Sequence, residues 1–402
     1  MSTQLLKGTV IFSVAAVITA GLNFVFYTIG RIIGVEQFGI LIALISLAYI
    51  ITIAQNVIVN LTTKAVAGSK FDVRSFIKKM SPWILKAQLV SAIGLVLVAI
   101  LFLQGFLKLD SIVPFLALAT LFGTAFLISM HRGILNGRKQ YREVAISQII
   151  EAVFKVSFAF LAVMLGFGVG GILIGVALGT VVSFLYLKRE TSKIETKGKF
   201  VLKELFPKRL TASIGTSFVV LSLMFLVDSV IARNTLSSSQ AGQYGGVITF
   251  GKLVFFLANS VVLALFPLSA SKSYGREILF QGIAMVVIIG AGAFVAFHFF
   301  GEMATALIFG EQFAGIPAYL PLEALIMTVF STLNVIAAYL LGKDRHSYAP
   351  ILLLGLFVQV GALMIWGNSI ETILQIQSIV MASLLVVSVF YLLLIGKIYE
   401  SK

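Results

Sequence analysis

The sequences VEQFG at residues 35–39 and AGQYG at residues 241–245 are two versions of one junction. Each follows an apolar run that ends in Ile-x-Arg, at 29–31 and 231–233, and each begins another apolar run. Two more anchors repeat 207 residues apart, because PFLAL begins at 114 and PLEAL at 321, and Tyr141 corresponds to Tyr348. This near-constant spacing predicts a chain built from two related halves.

The composition predicts a membrane protein. Of the 402 residues, 59% are hydrophobic and only 11% are charged, and the mean hydropathy is +1.06. Soluble domains carry about 25% charged residues. Runs of about 20 apolar residues, long enough to cross a bilayer, recur along the chain and indicate an all-α integral membrane protein. Such unbroken runs do not fit the alternating pattern of a transmembrane barrel.

We expect about twelve transmembrane helices, near 8–29, 38–60, 83–106, 112–131, 145–165, 169–187, 211–232, 244–268, 277–299, 318–341, 348–367 and 373–396. They group into an N-terminal six-helix half (1–187), a basic linker (188–210) and a C-terminal six-helix half (211–402). Since six is even, both halves enter from the same side and form parallel repeats around a central cavity. This arrangement is typical of secondary transporters.

The basic residues predict the orientation. Of the 30 Lys and Arg residues, 24 fall in one set of alternate connections, and the other set contains only Arg31, Lys108 and Arg233. Because basic loops stay cytoplasmic, we place both termini in the cytoplasm and the protein in the cytoplasmic membrane. This distribution also explains the net charge of +14 without a nucleic-acid partner.

The sequence lacks the residue patterns that several kinds of catalytic and binding sites require. The chain has no cysteine, its three histidines are scattered, and it contains no Walker motif and no nucleophile constellation. We therefore expect neither an enzyme nor a bound metal or cofactor. Small residues in the sixth predicted helix (Gly171, Gly175, Gly179) predict close helix packing. Gly39 and Gly245 permit either a tight turn or close packing at the repeated junction.

Charged groups at membrane depth are costly and mark candidate functional residues. Gln148, Glu151 and Lys155 share one face of the fifth predicted helix. Either Glu151 and Lys155 neutralise each other as an i,i+4 pair, or Lys155 faces a polar interior with its charge available. Lys252 is the strongest single candidate, and a Lys252–Asp228 ion pair is the structural alternative. Lys86 and Arg31 sit near the membrane ends, where snorkelling or topology explains them more simply.

These charges are not duplicated between the halves. An offset of 207 maps Lys155 onto Ala362 and Glu323 onto Leu116, and an offset of 206 maps Lys252 onto Ser46. A shared scaffold therefore does not explain them, which favours a functional role. The polar side chains Asn56, Asn60 and Asn23 either line a cavity or form interhelical hydrogen bonds.

The segments GRIIGVEQFGILIALISL (30–47) and RGILNGRKQYREVAISQIIEAVFKV (132–156), with AGQYG…FP (241–267), resemble polysaccharide repeat-unit flippases. These belong to the multidrug/oligosaccharidyl-lipid/polysaccharide exporter superfamily. The resemblance implies transfer of undecaprenyl-pyrophosphate-linked oligosaccharides between leaflets, with membrane lipid and polysaccharide assembly proteins as further partners. It also implies a cationic cavity, because a pyrophosphate carries about two negative charges. The residues that can supply it are Lys155, Lys252, Lys86 and Arg31.

Two alternatives remain at this point. A cation-coupled multidrug exporter of the same superfamily would favour an acidic cavity and a dominant role for Glu151, Asp228 and Glu323. The same carboxylates are the candidates for H⁺ or Na⁺ coupling of a flippase. A membrane glycan polymerase or ligase is expected to carry a large outer loop, and the longest one here, at about 300–317, is short and apolar.

Overall fold

The structure, a computed structural model, describes residues 3–67, 72–194, 211–269, 276–343 and 348–400. All regular secondary structure in these ranges is helical. The chain divides into two compact units, residues 1–207 and 208–402, and the division lies within the segment 188–210.

The first unit contains nine helical segments. They are α1 (Thr3–Tyr27), α2 (Gly30–Ile33), α3 (Val35–Val66), α4 (Val73–Val98), α5 (Gln104–Phe106), α6 (Val113–Thr120), α7 (Phe122–Gly137), α8 (Tyr141–Met164) and α9 (Gly168–Ser192). A π-helical turn at Ala99–Leu103 joins α4 to α5, so the two form one continuous rod.

The second unit contains six helices. They are α10 (Thr211–Thr235), α11 (Ser238–Ser269), α12 (Glu277–Ile308), α13 (Leu320–Gly342), α14 (Ala349–Trp366) and α15 (Ile370–Glu400). Two short 3₁₀ turns, Glu311–Phe313 and Pro317–Tyr319, connect α12 to α13.

Ten helices in the described part of the chain are long and apolar enough to cross a membrane. They are Val35–Val66, Val73–Phe106, Val113–Gly137, Tyr141–Met164, Gly168–Ser192, Ser238–Val262, Glu277–Ile308, Pro317–Leu341, Ala349–Trp366 and Ile370–Leu394. The predicted multi-pass helical membrane protein is confirmed. The first and seventh predicted spans fall on α1 and on α10, and a shorter apolar stretch, Val17–Ile33, runs from α1 into α2. The total of twelve spans therefore stays a prediction, as does the orientation of the termini.

The two units use the same internal pairing of helices. In the first unit α8 packs on α9, α3 on α7, α1 on α8 and α4 on α7. In the second unit the corresponding pairs are α14 with α15, α11 with α13, α10 with α14 and α12 with α13. Helices at equivalent positions of the two sequence repeats thus make equivalent contacts within each unit.

Both glycines of the repeated junction lie within helices. Gly39 lies inside α3 and Gly245 inside α11, and both are buried, so close packing rather than a turn accounts for them. The turn before α3 is made by Gly34, whose φ of 83° lies in the left-handed region that favours glycine. Phe38 and Tyr244, the aromatic members of the junction, are fully buried.

The fourth predicted span is interrupted, because α6 ends at Thr120 and α7 begins at Phe122. The side chain of Gln88 in α4 satisfies backbone groups near this break. Its Oε1 accepts hydrogen bonds from the backbone N–H groups of Phe126 (3.0 Å) and Leu127 (2.9 Å), and its Nε2 donates to the carbonyl of Gly123 (3.0 Å). A buried glutamine therefore fixes α4 against α7 where the helix lacks its own partners.

Candidate functional site

A polar cluster lies in the first unit, where α8 packs against α1 and α7. The ammonium of Lys155 in α8 donates a hydrogen bond to Oδ1 of Asn23 in α1. The same ammonium lies 5.3 Å from the ring centroid of Phe26, one turn further along α1. Lys155 and Asn23 are half-buried, and Phe26 is buried. A neutral amide and an aromatic face thus hold this cation.

Glu151, one turn before Lys155, has a different partner. Nη2 of Arg132 lies 2.5 Å from Oε2 of Glu151, and Nε of Arg132 donates to Oγ of Ser147 at 3.1 Å. Arg132, which the sequence places in a cytoplasmic connection, lies inside α7 because this helix continues to Gly137. Glu151 therefore forms its ion pair with Arg132, while Lys155 interacts with Glu151 electrostatically and donates its hydrogen bond to Asn23.

This pairing sets the charge of the first cluster. Arg132 pairs with Glu151, and Lys155 also interacts electrostatically with Glu151, so the three ionised groups together carry one net positive charge. Because a net charge is costly away from water, this cluster is poised to accept an anionic partner.

The backbone beneath Lys155 is held by glycines of α9. A Cβ at Gly179 would lie 2.6 Å from the backbone nitrogen of Lys155, and one at Gly175 would lie 2.8 Å from that of Ala159. The predicted small-residue packing therefore occurs between α9 and α8. It fixes the helix that carries both Glu151 and Lys155.

A second polar cluster lies in the second unit. Asp228 of α10, Lys252 of α11 and Glu323 of α13 are each at most 3% exposed. Lys252 interacts electrostatically with both carboxylates, and its ammonium lies 5.6 Å from the ring centroid of Phe225. When all three groups are ionised the cluster carries one net negative charge, opposite in sign to that of the first cluster.

The two carboxylates of this cluster differ in their hydrogen bonding. Asp228 Oδ2 accepts from the hydroxyl of Tyr244 at 2.8 Å, and its Oδ1 accepts from the backbone N–H of Ser229 at 2.7 Å. Oε1 of Glu323 is buried without a hydrogen-bond partner. A Cβ at Gly251 would overlap this atom, so α11 comes close to Glu323 only because residue 251 is glycine.

A pair of glutamines extends this cluster to α14 and α15. Nε2 of Gln359 donates to Oε1 of Gln377 at 2.8 Å and to the carbonyl of Met224 at 3.0 Å, and Gln377 hydrogen-bonds Asp228. Sequence reasoning missed both glutamines and the role of the Tyr244 hydroxyl. The available signal was a lone amide within an otherwise apolar helix, which needs a partner in a membrane.

The remaining predicted residues are less enclosed. Lys86 and Arg31 are exposed, and the Lys86 ammonium lies 5.7 Å from the ring centroid of Trp83. Asn56 and Asn60 are exposed on α3, and Gln148 is half-buried on α8. In the part of the chain that the structure describes, no three His, Cys, Asp or Glu side chains are placed to hold a metal ion.

Residues 5–273 match the family model described as polysaccharide biosynthesis protein. The chain belongs to this family. A curated relative, an uncharacterized membrane protein of Methanocaldococcus jannaschii, is 25% identical over 322 residues, which cover 75% of this chain and 76% of the relative.

Two solved structures show which fold this polysaccharide biosynthesis protein shares. Lipid II flippase MurJ in an inward closed conformation superposes with a TM-score of 0.74 at 14% identity, covering 95% of this chain and 87% of MurJ. An inward-facing multidrug resistance MATE family transporter of the MOP superfamily gives a TM-score of 0.64 at 14% identity, covering 99% and 96%. The chain therefore shares its fold with these two proteins.

Proposed function

We propose that this protein is a flippase that moves undecaprenyl-pyrophosphate-linked oligosaccharide repeat units across the cytoplasmic membrane by alternating access, for cell-surface polysaccharide biosynthesis. Both termini then lie in the cytoplasm, as the basic loops predict. The family supports a role in polysaccharide assembly. The observation that carries the proposal is the net positive charge of the cluster formed by Arg132, Glu151 and Lys155, in which the carboxylate of Glu151 pairs with Arg132.

Lys155 suits the pyrophosphate of such a carrier. An ammonium binds phosphate as a point charge with three donors, and the neutral Asn23 amide leaves its positive charge intact. The Phe26 ring stabilises the cation before the anion arrives. In our proposal Lys155 is the anchor for the pyrophosphate, with Asn23 as its positioning residue. Arg31, Lys86, Asn56, Asn60 and Gln148 remain candidates for further contacts with the substrate.

Lys252 fits a different role. Two carboxylates compensate its charge, so an incoming anion would meet a net negative cluster. A buried cluster of charge −1 is stabilised by taking up one monovalent cation, either a proton or Na⁺. We therefore propose that Asp228, Lys252 and Glu323 couple transport to a cation gradient. This assignment revises the sequence-based preference for Lys252 as the substrate anchor.

The test is flipping of a fluorescent undecaprenyl-pyrophosphate oligosaccharide in proteoliposomes, read as the fraction of probe accessible to an external quencher. Lys155→Ala is expected to slow flipping at least tenfold, because one charge-assisted contact with the phosphate is lost. Lys78→Ala removes the same charge from an exposed position of α4 and serves as the matched control. Equal rates in both variants would overturn the role of Lys155.

The acidic second cluster favours one other function, the export of organic cations. In that case cells that lack the protein would become hypersensitive to organic cations while their lipid-linked glycans kept a normal distribution between leaflets. Under our proposal the glycans accumulate on the cytoplasmic face and drug sensitivity does not change. A polymerase or ligase would instead alter glycan chain length without a change in leaflet.

A further inference from the structure

A groove crosses α13 within the second unit, between α12 and α15, which both pack on this helix. Its volume is about 650 Å³. Thr328 and Lys343 mark its two ends on α13. These residues are 15 positions apart, so the groove is about 22 Å long at 1.5 Å per residue. That is about half the thickness of a bilayer with its headgroups, about 40–45 Å. The groove therefore has the length of one leaflet.

The cations of the groove lie at one end. Arg276, just before α12, and Lys343, just after α13, both line it there, and Arg276 is exposed. The antiparallel course of α12 and α13 brings these two positions to the same end. Tyr339, one turn before Lys343, also lines this end and interacts electrostatically with Arg276. Two cations beside a phenol form a suitable site for a phosphate group.

The rest of the groove is apolar. The other polar residues among its lining are Thr328 and Thr332, whose hydroxyls donate to the carbonyls of Ala324 (2.6 Å) and Thr328 (2.9 Å) in their own helix. Their hydrogen-bond donors are thus already used. Aliphatic side chains form the walls, and Val389 and Leu393 on α15 are 44% and 56% exposed at its mouth. A hydrocarbon chain fits this lining.

We infer that this groove is a binding site for an anionic glycerophospholipid, with one acyl chain along α13 and the headgroup phosphate between Arg276 and Lys343. The site is separate from the clusters around Lys155 and Lys252. It belongs to the leaflet that the basic loops predict to be cytoplasmic. Because α13 also carries Glu323, the bound lipid supports the helix that holds part of the acidic cluster.

The experiment is native mass spectrometry of the purified full chain titrated with dioleoyl phosphatidylglycerol or dioleoyl phosphatidylcholine. We expect one phosphatidylglycerol to bind in preference to phosphatidylcholine. The double variant Arg276→Gln/Lys343→Gln should bind it about thirtyfold more weakly, from the effect of two basic residues at a membrane surface. Lys78→Gln/Lys79→Gln, with the same charge change at exposed positions of the first unit, should bind as the wild type does.

A second variant tests the apolar part of the site. Val389→Trp places a large side chain in the groove from an exposed position, so it should fold normally and exclude the acyl chain while keeping both cations. Equal binding of the two phospholipids, or wild-type affinity in the Arg276/Lys343 variant, would overturn the inference. Displacement of phosphatidylglycerol by an equimolar undecaprenyl phosphate would also overturn it, by assigning the groove to the carrier lipid. None of these measurements depends on flippase activity.

Discussion

Arg132 and Glu151 form an ion pair between α7 and α8, with 2.5 Å between Nη2 and Oε2. Their side chains are 16% and 25% exposed, so the pair is largely shielded from water. It joins two helices of the first unit, and together with Lys155 these groups carry one net positive charge.

The strength of this pair can be measured with a double-mutant cycle. Arg132→Gln should lower the free energy of unfolding by about 1–3 kcal/mol, because Glu151 loses a charge-assisted partner. The double variant Arg132→Gln/Glu151→Gln should lose less than the sum of the single variants, since no charge is then left alone. Unfolding in a denaturing detergent, followed by circular dichroism, gives these values. Strict additivity would show that the two side chains do not interact.

Asn23 offers a test that keeps the lysine in place. Asn23→Asp preserves the shape of the side chain and puts a carboxylate beside Lys155, so the cluster loses its net positive charge. We expect flipping to slow about as much as in Lys155→Ala, at least tenfold. Asn368→Asp, at an exposed position just before α15, is the matched control. Normal transport by Asn23→Asp would mean that the charge of Lys155 is not used.

Loss of the lysine should destabilise the acidic cluster more than loss of the lysine together with one carboxylate charge. Lys252→Met leaves two buried carboxylates without their cation and should cost about 3–5 kcal/mol of stability. Adding Glu323→Gln should recover much of this loss, because only one carboxylate then remains. Apparent unfolding temperatures of the purified variants measure both effects. A stable Lys252→Met protein would contradict the electrostatic role of the lysine.

Glu323→Gln alone tests coupling. This variant removes the excess negative charge of the cluster, so we expect a folded protein whose flipping no longer responds to an imposed H⁺ or Na⁺ gradient. Proteoliposomes with and without each gradient supply the measurement, with Glu302→Gln as the control. Glu302 is an exposed carboxylate of α12. An unchanged response to the gradient in Glu323→Gln would remove Glu323 from the coupling site.

Gly251 tests the packing around the same carboxylate. Gly251→Ala places a methyl group onto Oε1 of Glu323 and should destabilise the protein by about 1–3 kcal/mol through overpacking. Gly292→Ala is the matched control, because a Cβ at this position of α12 meets no atom within 4 Å. Thermal unfolding of the two variants should differ clearly, and equal stability would show that α11 can shift away from Glu323.

Much of the fold follows from the sequence because membrane spans depend on length and apolar content alone. The repeated anchors also predict the shared helix pairing of the two units. The partners of the charged groups depend instead on helix rotation and on where helices end. The sequence did not predict the Arg132–Glu151 ion pair, because α7 runs past residue 131 and a residue assigned to a basic loop lies within this helix instead.

The polar network of the second unit could not be predicted from the sequence for a related reason. Gln359 and Gln377 lie in different apolar helices, 18 residues apart, and no local spacing connects them. Asp228, Lys252 and Glu323 were identifiable one by one as charges at membrane depth. Their convergence depends on α10, α11 and α13 meeting, which a sequence without an alignment does not reveal.

Phe38 and Tyr244 occupy equivalent places in the repeated junction and differ by a single oxygen atom. The hydroxyl of Tyr244 donates a hydrogen bond to Asp228, whereas the buried ring of Phe38 has no hydroxyl that could do so. Gene duplication would supply two equal scaffolds, and one added atom at an inherited position gives the second copy the means to hold a charge. The two halves of the protein thus share one architecture and differ in chemistry at an equivalent position.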